Sequence, residues 1–340
     1  MSVTLADVAA KAGVSTMTVS NVLTGKSGKV SERTAQRVLD AVAETGYVVN
    51  ASARALSAKN SHIVAIVVAG NGPILRGAHD SRMVGHITAE LQKHGYNAML
   101  IAASDISKTI SSLRSWRVDG GIVLNTLAHE LEALHEREDI PLLFVDSYIE
   151  RPGLLSVRTD DYGGGRLAAE HLIANGHRDH VCFLGPIRGH TGVVDERFRG
   201  FTDAYLDHDL PKPVVPFSIS DTTARTGIEL APKFAALDPR PSAVFCSADD
   251  LAVGLMSSLA REGVVVPRDL SVVGFDGFDI SLTATPALTT IGQNVENKAR
   301  LAVSRLLAAI GGSGTLEDSC HDAPLEVSLL ERETVASVTT

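Results

Sequence analysis

The sequence predicts an N-terminal all-α headpiece with a hinge helix, followed by an α/β core of two parallel-sheet lobes. Two short amphipathic helices open the chain, apolar strands alternate with helices beyond residue 61, and this alternation restarts after about residue 160. Continuous apolar strands separated by helices are typical of parallel sheets that are covered on both faces.

The first two helices are expected to form a helix-turn-helix. In LADVAAKAGVSTMTVSNVL, residues 5–23, apolar side chains recur at helical spacing. Gly13 is placed to end the first helix, and Ser15 is placed to cap the second. Two helices joined by so short a turn cross steeply.

The second helix leaves Thr16, Met17 and Asn21 facing outward. An amide can pair with adenine, and Thr or Met can meet a thymine methyl, so this face suits base edges in a major groove of DNA. The alternative is a small three-helix domain whose outer face is merely polar.

A third helix is predicted in SERTAQRVLDAVAETGY, residues 31–47, between the cap Ser31 and the terminator Gly46. The side chains expected to point inward are Ala35, Val38, Leu39 and Val42. The segment NASARALSA, residues 50–58, predicts a two-turn hinge helix that orders only when it is packed against a twin copy and DNA. Leu56 is its one large apolar side chain, suited to wedge between base steps from the minor groove, although a plain flexible linker is the alternative.

Charge is distributed unevenly. Residues 1–60 contain seven Lys or Arg and four Asp or Glu, which gives a net charge of +3. The whole chain has a net charge of −9, so residues 61–340 carry −12. A basic head on an acidic body can contact a polyanion with one end only, although chance scatter of a few lysines would look the same.

Composition narrows the class of protein. The 340 residues are 44% hydrophobic and 21% charged, and no apolar run approaches the roughly 18 residues of a membrane span. The N-terminus lacks a basic region followed by an apolar run, so no secretory signal is expected. The three cysteines lie far apart without metal-ligand spacing. We therefore expect a cytoplasmic protein with reduced thiols, no membrane contact, no metal and no cofactor.

Polar residues follow the apolar runs of the core. The candidate strands are HIVAIVV, NAMLIAA, GGIVLN, PLLFVD, HVCFLGP, SAVFCSAD and LSVVGFD. The polar residues at strand ends are Asp146, Asp160, Asp249, Asp276 and Gln293, and Arg197 heads a helix. Ligands of such sheets sit beyond the carboxyl ends of the strands. Carboxylates and an arginine converging on a cleft suit a neutral polyol, while any one of them alone is as readily a cap or an ion-pair partner.

Enzymatic motifs are not found. The histidines show no HExxH spacing, and GPIRGHTG lacks the Gly-Lys-Ser/Thr end of a phosphate-binding loop. The glycines of YGGGRLAAEHL suit close packing at a helix start better than nucleotide binding. The sequence thus indicates a binding protein and not an enzyme. A periplasmic solute-binding protein would share the two-lobed core, but it should carry a signal peptide and no helix-turn-helix.

Residues 3–58 resemble the headpiece and hinge of the LacI/GalR family of bacterial transcription regulators. The motifs TLADVAAKAGVS, TVSNVL, VSERTAQRVLDAVAETGY and the N-x-SARAL pattern carry the resemblance. It implies base reading by Thr16, Met17 and Asn21. It implies contacts to the DNA backbone by Leu5, Ser15, Thr18, Ser31, Thr34 and Tyr47. It implies hinge contacts in the minor groove by Asn50, Ala53 and Leu56. Asn21 stands where many members have Arg, and Val49 replaces the usual proline before the hinge.

The core resembles the periplasmic-binding-protein-like core of the same family, so the resemblance spans nearly the whole chain. It implies a headpiece over 1–48, a hinge over 49–60 and an effector-binding and dimerisation core over 61–340. We expect lobe one at 61–160 plus 292–320 and lobe two at 161–291 plus 321–337, with crossings near residues 160, 293 and 318.

In that resemblance Arg197, Asp249, Asp276 and Gln293 fall on effector-contact positions, and Asp146 falls near another. Asp160 and Asn71 are further candidates. Ala248 stands where sugar-binding members tend to have Asn, and the loop AGNGPILRGAHDSRM lacks the usual aromatic residue. The implied function is that of a homodimeric regulator at the nucleoid, a repressor that binds a pseudo-palindromic operator. Its effector is expected to be a sugar or polyol bound between the lobes.

Overall fold

The computed structural model describes residues 3–23, 30–47, 60–70, 74–126, 140–148, 154–187, 192–312 and 323–338. The chain divides into two compact units, Met1–His62 and Ile63–Thr340. The hinge predictions at Asn50, Ala53 and Leu56, and the prediction at Asn71, lie outside the described residues. Within the described part of the chain, no helix is both long and apolar enough to cross a bilayer.

Three helices form the headpiece. They are α1 (Leu5–Ala12), α2 (Thr16–Leu23) and α3 (Glu32–Thr45). α1 begins with a capping box in which Thr4 and Asp7 satisfy each other's backbone amides. It ends at Gly13, whose φ of 62° is left-handed, so the predicted helix end is confirmed. The predicted limits of α3, Ser31 and Gly46, are confirmed in the same way.

The headpiece has its own small apolar core. Its buried members are Val8, Ala9, Ala12, Val19, Val38 and Ala41. One prediction about α3 is wrong, because Leu39 is 47% exposed and does not point inward. Successive residues of an α-helix are about 100° apart, so a helix that buries Val38 and Ala41 carries Leu39 round to its flank. Val22, Leu23 and Val42 pack against this core while partly buried.

The core unit contains two five-stranded sheets. The first sheet consists of β1 (Ile63–Ala69), β2 (Asn97–Ala103), β3 (Gly120–Leu124), β4 (Leu142–Val145) and β5 (Leu155–Val157). The second consists of β6 (Val181–Leu184), β7 (Ala243–Cys246), β8 (Ser271–Asp276), β9 (Thr289–Gly292) and β10 (Ser328–Leu330). The strand orders are β2-β1-β3-β4-β5 and β10-β9-β8-β7-β6. All pairs are parallel except β9 with β10, so the predicted parallel-sheet lobes are confirmed.

Helices flank both sheets. They are α4 (Ala78–Lys93), α5 (Ile106–Leu113), α6 (Asp161–Ala174), α7 (Val193–Asp207), α8 (Ala224–Ala235), α9 (Asp249–Leu259), α10 (Asp279–Thr283) and α11 (Val295–Ile310). Every residue of β8 is buried, as a strand covered on both faces requires. α11 follows a strand of the second sheet, but its Ala299, Val303 and Leu306 belong to the apolar core of the first.

The chain passes between the lobes at three places. It leaves the first sheet after β5 and enters the second lobe at α6, next to Asp160. It returns between β9 and α11, next to Gln293. The third passage is later than expected, and residue 318 itself lies outside the described residues. Leu325 still exchanges backbone hydrogen bonds with Arg158 and Asp160 of the first lobe, so the passage falls between Leu325 and β10.

The glycines in the first turns of α6 allow close packing, as predicted. A Cβ on Gly165 would lie 2.1 Å from the carbonyl oxygen of Arg197 on α7, and one on Gly164 would lie 2.6 Å from the Phe275 ring on β8. Here glycine is needed for helix–helix and helix–strand contact, and no phosphate-binding role is required to explain it.

Candidate functional site

The outer face of α2 carries the predicted base-reading side chains. Thr16 and Met17 are exposed, and the exposed fraction of Met17 is 69%. Asn21 lies one turn further along and is half-buried. Val19 is fully buried on the opposite face, which fixes the rotation of the helix about its axis. The three side chains are thus presented on the outer face of the helix, where they can meet another molecule.

The N-termini of α2 and α3 are capped alike. Ser15 Oγ accepts a 3.1 Å hydrogen bond from the Thr18 amide, and the two hydroxyls lie 2.9 Å apart. Ser31 and Thr34 repeat this arrangement, with hydroxyls 2.9 Å apart and an amide bond of 3.4 Å. A helix N-terminus with a neutral hydroxyl cap attracts an anion such as a phosphate. The other two residues predicted to contact the DNA backbone, Leu5 and Tyr47, are partly buried against the headpiece core.

A cavity of about 620 Å³ lies between the two lobes of the core unit, at the carboxyl ends of the strands. Its polar lining from the first lobe is His79, Asp80, Asn125, Thr126 and Asp146. Its polar lining from the second lobe is Asp195, Arg197, Thr222, Ser247, Asp250 and Asp276. Both lobes therefore supply polar groups to one cleft.

Three lining residues have an unusual backbone. Asn125, Asp146 and Asp276 follow or end β3, β4 and β8, and their φ angles are 62°, 57° and 125°. Positive φ is costly for a residue with a Cβ and persists where the surrounding structure enforces it. The strand ends are thus shaped to turn these side chains toward the cavity.

Lys298 of α11 organises the first-lobe wall. Only 1% of its side chain is exposed, and its Nζ donates to both carboxylate oxygens of Asp146 at 2.9 Å. Burial pushes the pKa of Asp146 up, but Lys298 and His79 outweigh it and hold that pKa below its ordinary value. Lys298 also donates to Gln293 Oε1 at 2.8 Å, and Gln293 Nε2 donates to Asp276 Oδ1 at 2.7 Å. This chain of bonds links the two lobes beside the cavity.

Arg197 organises the second-lobe wall. Its Nε donates to Asp161 Oδ1 at 2.8 Å, one terminal nitrogen donates to the Ser247 carbonyl oxygen at 2.6 Å, and its guanidinium lies 3.5 Å from the centre of the Phe275 ring. Asp161 also accepts a short hydrogen bond from the Tyr148 hydroxyl. Burial raises the pKa of Asp161 although Arg197 opposes it.

Three predicted contact residues do not line the cavity. Asp249 is fully buried and accepts hydrogen bonds from the Phe278 amide at 2.9 Å and the Thr290 hydroxyl at 2.5 Å. Burial raises its pKa to about 8. Gln293 bridges between the walls, and Asp160 caps α6 by accepting from the Gly163 amide at 2.8 Å. These side chains support the site from behind, because Asp249 begins α9, Asp160 caps α6 and their hydrogen bonds are made within the protein.

The sequence of the chain is similar to that of known regulators. The family model described as bacterial regulatory proteins, lacI family, matches residues 4–50, and a periplasmic binding protein-like domain matches residues 169–335. The HTH-type transcriptional repressor PurR of Vibrio parahaemolyticus serotype O3:K6 (strain RIMD 2210633) is 33% identical over 313 residues, which cover 90% of this chain and 92% of that protein. The chain belongs to the LacI/GalR family.

Solved structures agree with this assignment. The Lac repressor dimer bound to operator and the anti-inducer ONPF superposes with a TM-score of 0.86 at 27% identity, covering 99% of this chain and 100% of that one. The complex of the transcriptional regulator CelR with cellobiose gives a TM-score of 0.70 at 27% identity, with coverage of 98% and 99%. The chain is thus a DNA-binding transcriptional repressor of the LacI/GalR family, and its curated relatives are repressors and not enzymes.

The sequence missed several residues of this LacI/GalR cavity. His79, Asn125, Thr126 and Ser247 line it, and none of them is among the contact residues that the sequence predicts. Asn125 directly follows β3, so the strand-end rule that found Asp146 would have found it as well. The same rule would have found Ser247, which directly follows β7, and Thr126 lies one residue beyond Asn125. No local signal marks His79.

Proposed function

We propose that this regulator binds a pseudo-palindromic operator as a homodimer, under the control of a small hydroxylated effector, a sugar or polyol, held in the cavity between the lobes. The observation that carries the proposal is the cavity itself. Its volume of about 620 Å³ lies in the usual range for small-molecule sites, and both lobes line it. A molecule bound there would contact both lobes at once.

The headpiece would supply DNA recognition. Exposed Thr16 and Met17, together with Asn21, would meet base edges, and the capped N-termini of α2 and α3 would meet phosphates. The proposed backbone contacts are Leu5, Ser15, Thr18, Ser31, Thr34 and Tyr47. The proposed minor-groove contacts are Asn50, Ala53 and Leu56, which lie outside the described residues. Such a repressor would act in the cytoplasm, at the nucleoid.

Pairing of two cores would place two headpieces on adjacent half-sites. β2 is the outer strand of the first sheet, and it presents Leu100 with 41% of its surface exposed. Trp116, also in the first lobe, is 45% exposed. An exposed edge strand with apolar side chains is a ready surface for a second chain, which supports a dimer through this lobe. The solved Lac repressor, similar over the whole length, is a dimer on its operator.

The lining favours an effector with several hydroxyl groups. Carboxylates accept hydrogen bonds from hydroxyls, while Arg197 and the amide of Asn125 donate to them. The proposed contacts are Asp146, Arg197 and Asp276. Asp249, Gln293 and Asp160 would act from behind them, and Asn71 stays a candidate outside the described residues. The similar regulator CelR was solved with cellobiose, a sugar.

Control of DNA binding by the effector would follow from the fact that both lobes line the cavity. An effector that binds one arrangement of the lobes more tightly than another shifts the protein toward that arrangement, and only by that difference in affinity. The lobe arrangement would in turn set the spacing of the two headpieces. Gel shifts with and without the effector show whether it releases the protein from DNA or recruits it to DNA.

The test has two steps on the full chain. A thermal-shift screen of sugars, polyols and nucleosides identifies ligands, because a bound ligand raises apparent stability by mass action. Gel shift with the region upstream of the protein's own gene then measures DNA affinity with and without each hit. The proposal expects retardation of that DNA and a hit that changes it. Retardation that no stabilising ligand alters would contradict control through the cavity.

A further inference from the structure

The cavity between the lobes contains more acidic than basic side chains. Five aspartates line it, namely Asp80, Asp146, Asp195, Asp250 and Asp276, against one arginine and one histidine, Arg197 and His79. Because charge inside a cleft is screened less than charge on a flat surface, such an excess contributes to the potential that a ligand meets.

The cations around the cavity are already engaged. Arg197 is 7% exposed and is bonded to Asp161, which is fully buried. Lys298 is bonded through both oxygens to Asp146. Each of these cations is therefore matched by one carboxylate. Among the described residues no lysine or arginine forms an ion pair with Asp80, Asp250 or Asp276, and the positive groups nearest to the first two are the ring of His79, 3.5 Å from Asp80, and Arg82, which faces Asp250.

Two of these carboxylates accept hydrogen bonds from neutral side-chain amides. Asp276 accepts from the side-chain amide of Gln293 at 2.7 Å, and Asp80 accepts from that of Asn125 at 2.7 Å. Neutral donors satisfy the oxygen lone pairs but do not offset the charge. Burial accordingly raises the pKa of Asp276, with Arg197 and His79 opposing, and it raises the pKa of Asp250.

Two buried hydroxyls of the same cavity point independently to a ligand. Ser247 and Thr126 are 0% and 8% exposed, and both line the cavity. Among the residues that the structure describes, their hydroxyl oxygens have no hydrogen-bond partner. A buried hydroxyl without a partner is costly, so a polar ligand that bonds to both would stabilise the site.

We propose that the effector carries a basic nitrogen in addition to its hydroxyls, as an amino sugar or a related hydroxylated amine does. This inference rests on the proposed function of the cavity as the effector site. A neutral sugar would satisfy the hydroxyls and leave the charge of Asp80, Asp250 and Asp276 in place. A protonated amine among these carboxylates supplies the missing positive charge and donates charge-assisted hydrogen bonds.

The test compares matched ligands by calorimetry on the full chain without DNA. The probes are glucosamine, galactosamine and mannosamine, each beside its neutral parent sugar and its N-acetyl derivative, which keeps the nitrogen but loses the charge. The expected result is that one of the amines binds at least tenfold more tightly at pH 7 than both of its uncharged counterparts. Neutral parents that match or exceed their amines overturn the proposal, and so does the absence of binding by every amine.

Variants test which groups set the preference. Asp80→Asn and Asp250→Asn should each bring the affinity ratio of amine to neutral sugar closer to one, whereas Glu262→Gln, an exposed acid outside the cavity, should leave it unchanged. A ratio that both cavity variants preserve overturns the assignment. Failure here is distinguishable from failure of the proposed function. A neutral sugar that binds and alters DNA retardation supports effector control while refuting the amine.

Discussion

Replacing Lys298 by methionine is expected to destabilise the core unit by about 3–5 kcal/mol at pH 7. The lysine side chain is 1% exposed and donates to Asp146 through two bonds of 2.9 Å and to Gln293 at 2.8 Å. Methionine keeps most of the apolar stem, so little packing is lost. The cost arises because the Asp146 carboxylate, with 13% of its side chain exposed, stays buried without its cation.

The pH dependence of the effect has a definite sign. In the wild type the pKa of Asp146 lies below its ordinary value of 3.8, so its contribution to stability is present above that value and is lost as the pH falls through the lowered pKa. Without Lys298, burial is less opposed and the pKa of Asp146 rises. A raised pKa stabilises the fold at low pH and loses that contribution as the pH increases. The difference between wild type and variant should therefore grow as the pH rises above 3.8 toward the raised pKa of the variant.

Urea unfolding followed by the fluorescence of Trp116, the only tryptophan in the sequence, measures this difference. The control is the pair of variants Asp146→Leu and Asp146→Leu with Lys298→Met. The double variant should be more stable than the Lys298→Met single variant, because no buried charge is left without a partner. A loss below about 1 kcal/mol at pH 7, or a loss that does not change with pH, would refute the reasoning.

Four further predictions concern DNA reading, packing, the cavity and the dimer. Asn21→Ala should cost about 1–3 kcal/mol on the specific operator and relax the preference at one base pair, measured by anisotropy; an equal loss on random DNA would count against base reading. Gly165→Ala should destabilise the fold by about 1–3 kcal/mol, because the added Cβ meets a backbone oxygen at 2.1 Å. Gly85→Ala, at an open position of α4, should stabilise the fold by about 0.5–1 kcal/mol. Urea unfolding in which Gly165→Ala is the more stable of the two variants would contradict this. Asp276→Ala should abolish the ligand response in gel shifts while operator binding is kept, so a fully responsive variant would place the effector elsewhere. Leu100→Lys should shift the dimer toward monomer in sedimentation, and an unchanged dimer would move the interface away from β2.

Most strands and the ends of the headpiece helices can be predicted from the sequence, because local chemistry determines them. A glycine at positive φ ends α1 and α3, and apolar runs mark seven strands. β5, β9 and β10 are not among the candidate strands, because LSV, TTIG and SLL are only three or four residues long and contain polar residues. The prediction that Leu39 points inward is wrong because helical spacing alone allows two neighbouring faces of α3 to be the buried one. Only the packing of α1 and α2 against α3 determines which face is buried.

The candidate site was predicted less completely than the fold, because long-range contacts determine it. Lys298 sits in an amphipathic helix where a lysine normally faces water, and its partner Asp146 is 152 residues away. In the sequence Asp249 and Asp276 both follow apolar runs and carry the same local signal, but Asp276 ends β8 whereas Asp249 begins α9. Yet Asp276 lines the cavity while Asp249 turns inward to the Phe278 amide. Strand-end position predicts that such a residue is near the site, but not which way its side chain points.

The measurement that tests the central claim most directly is the affinity of the full chain for a labelled duplex from its own upstream region. The same titration on a scrambled duplex of equal length, at one fixed salt concentration, provides the reference. Sequence-specific binding predicts that the natural duplex is bound roughly 10³-fold or more tightly, with the preference lost when residues 1–60 are removed. Equal affinity for the two duplexes, or a preference that survives without those residues, would contradict recognition of DNA through the headpiece.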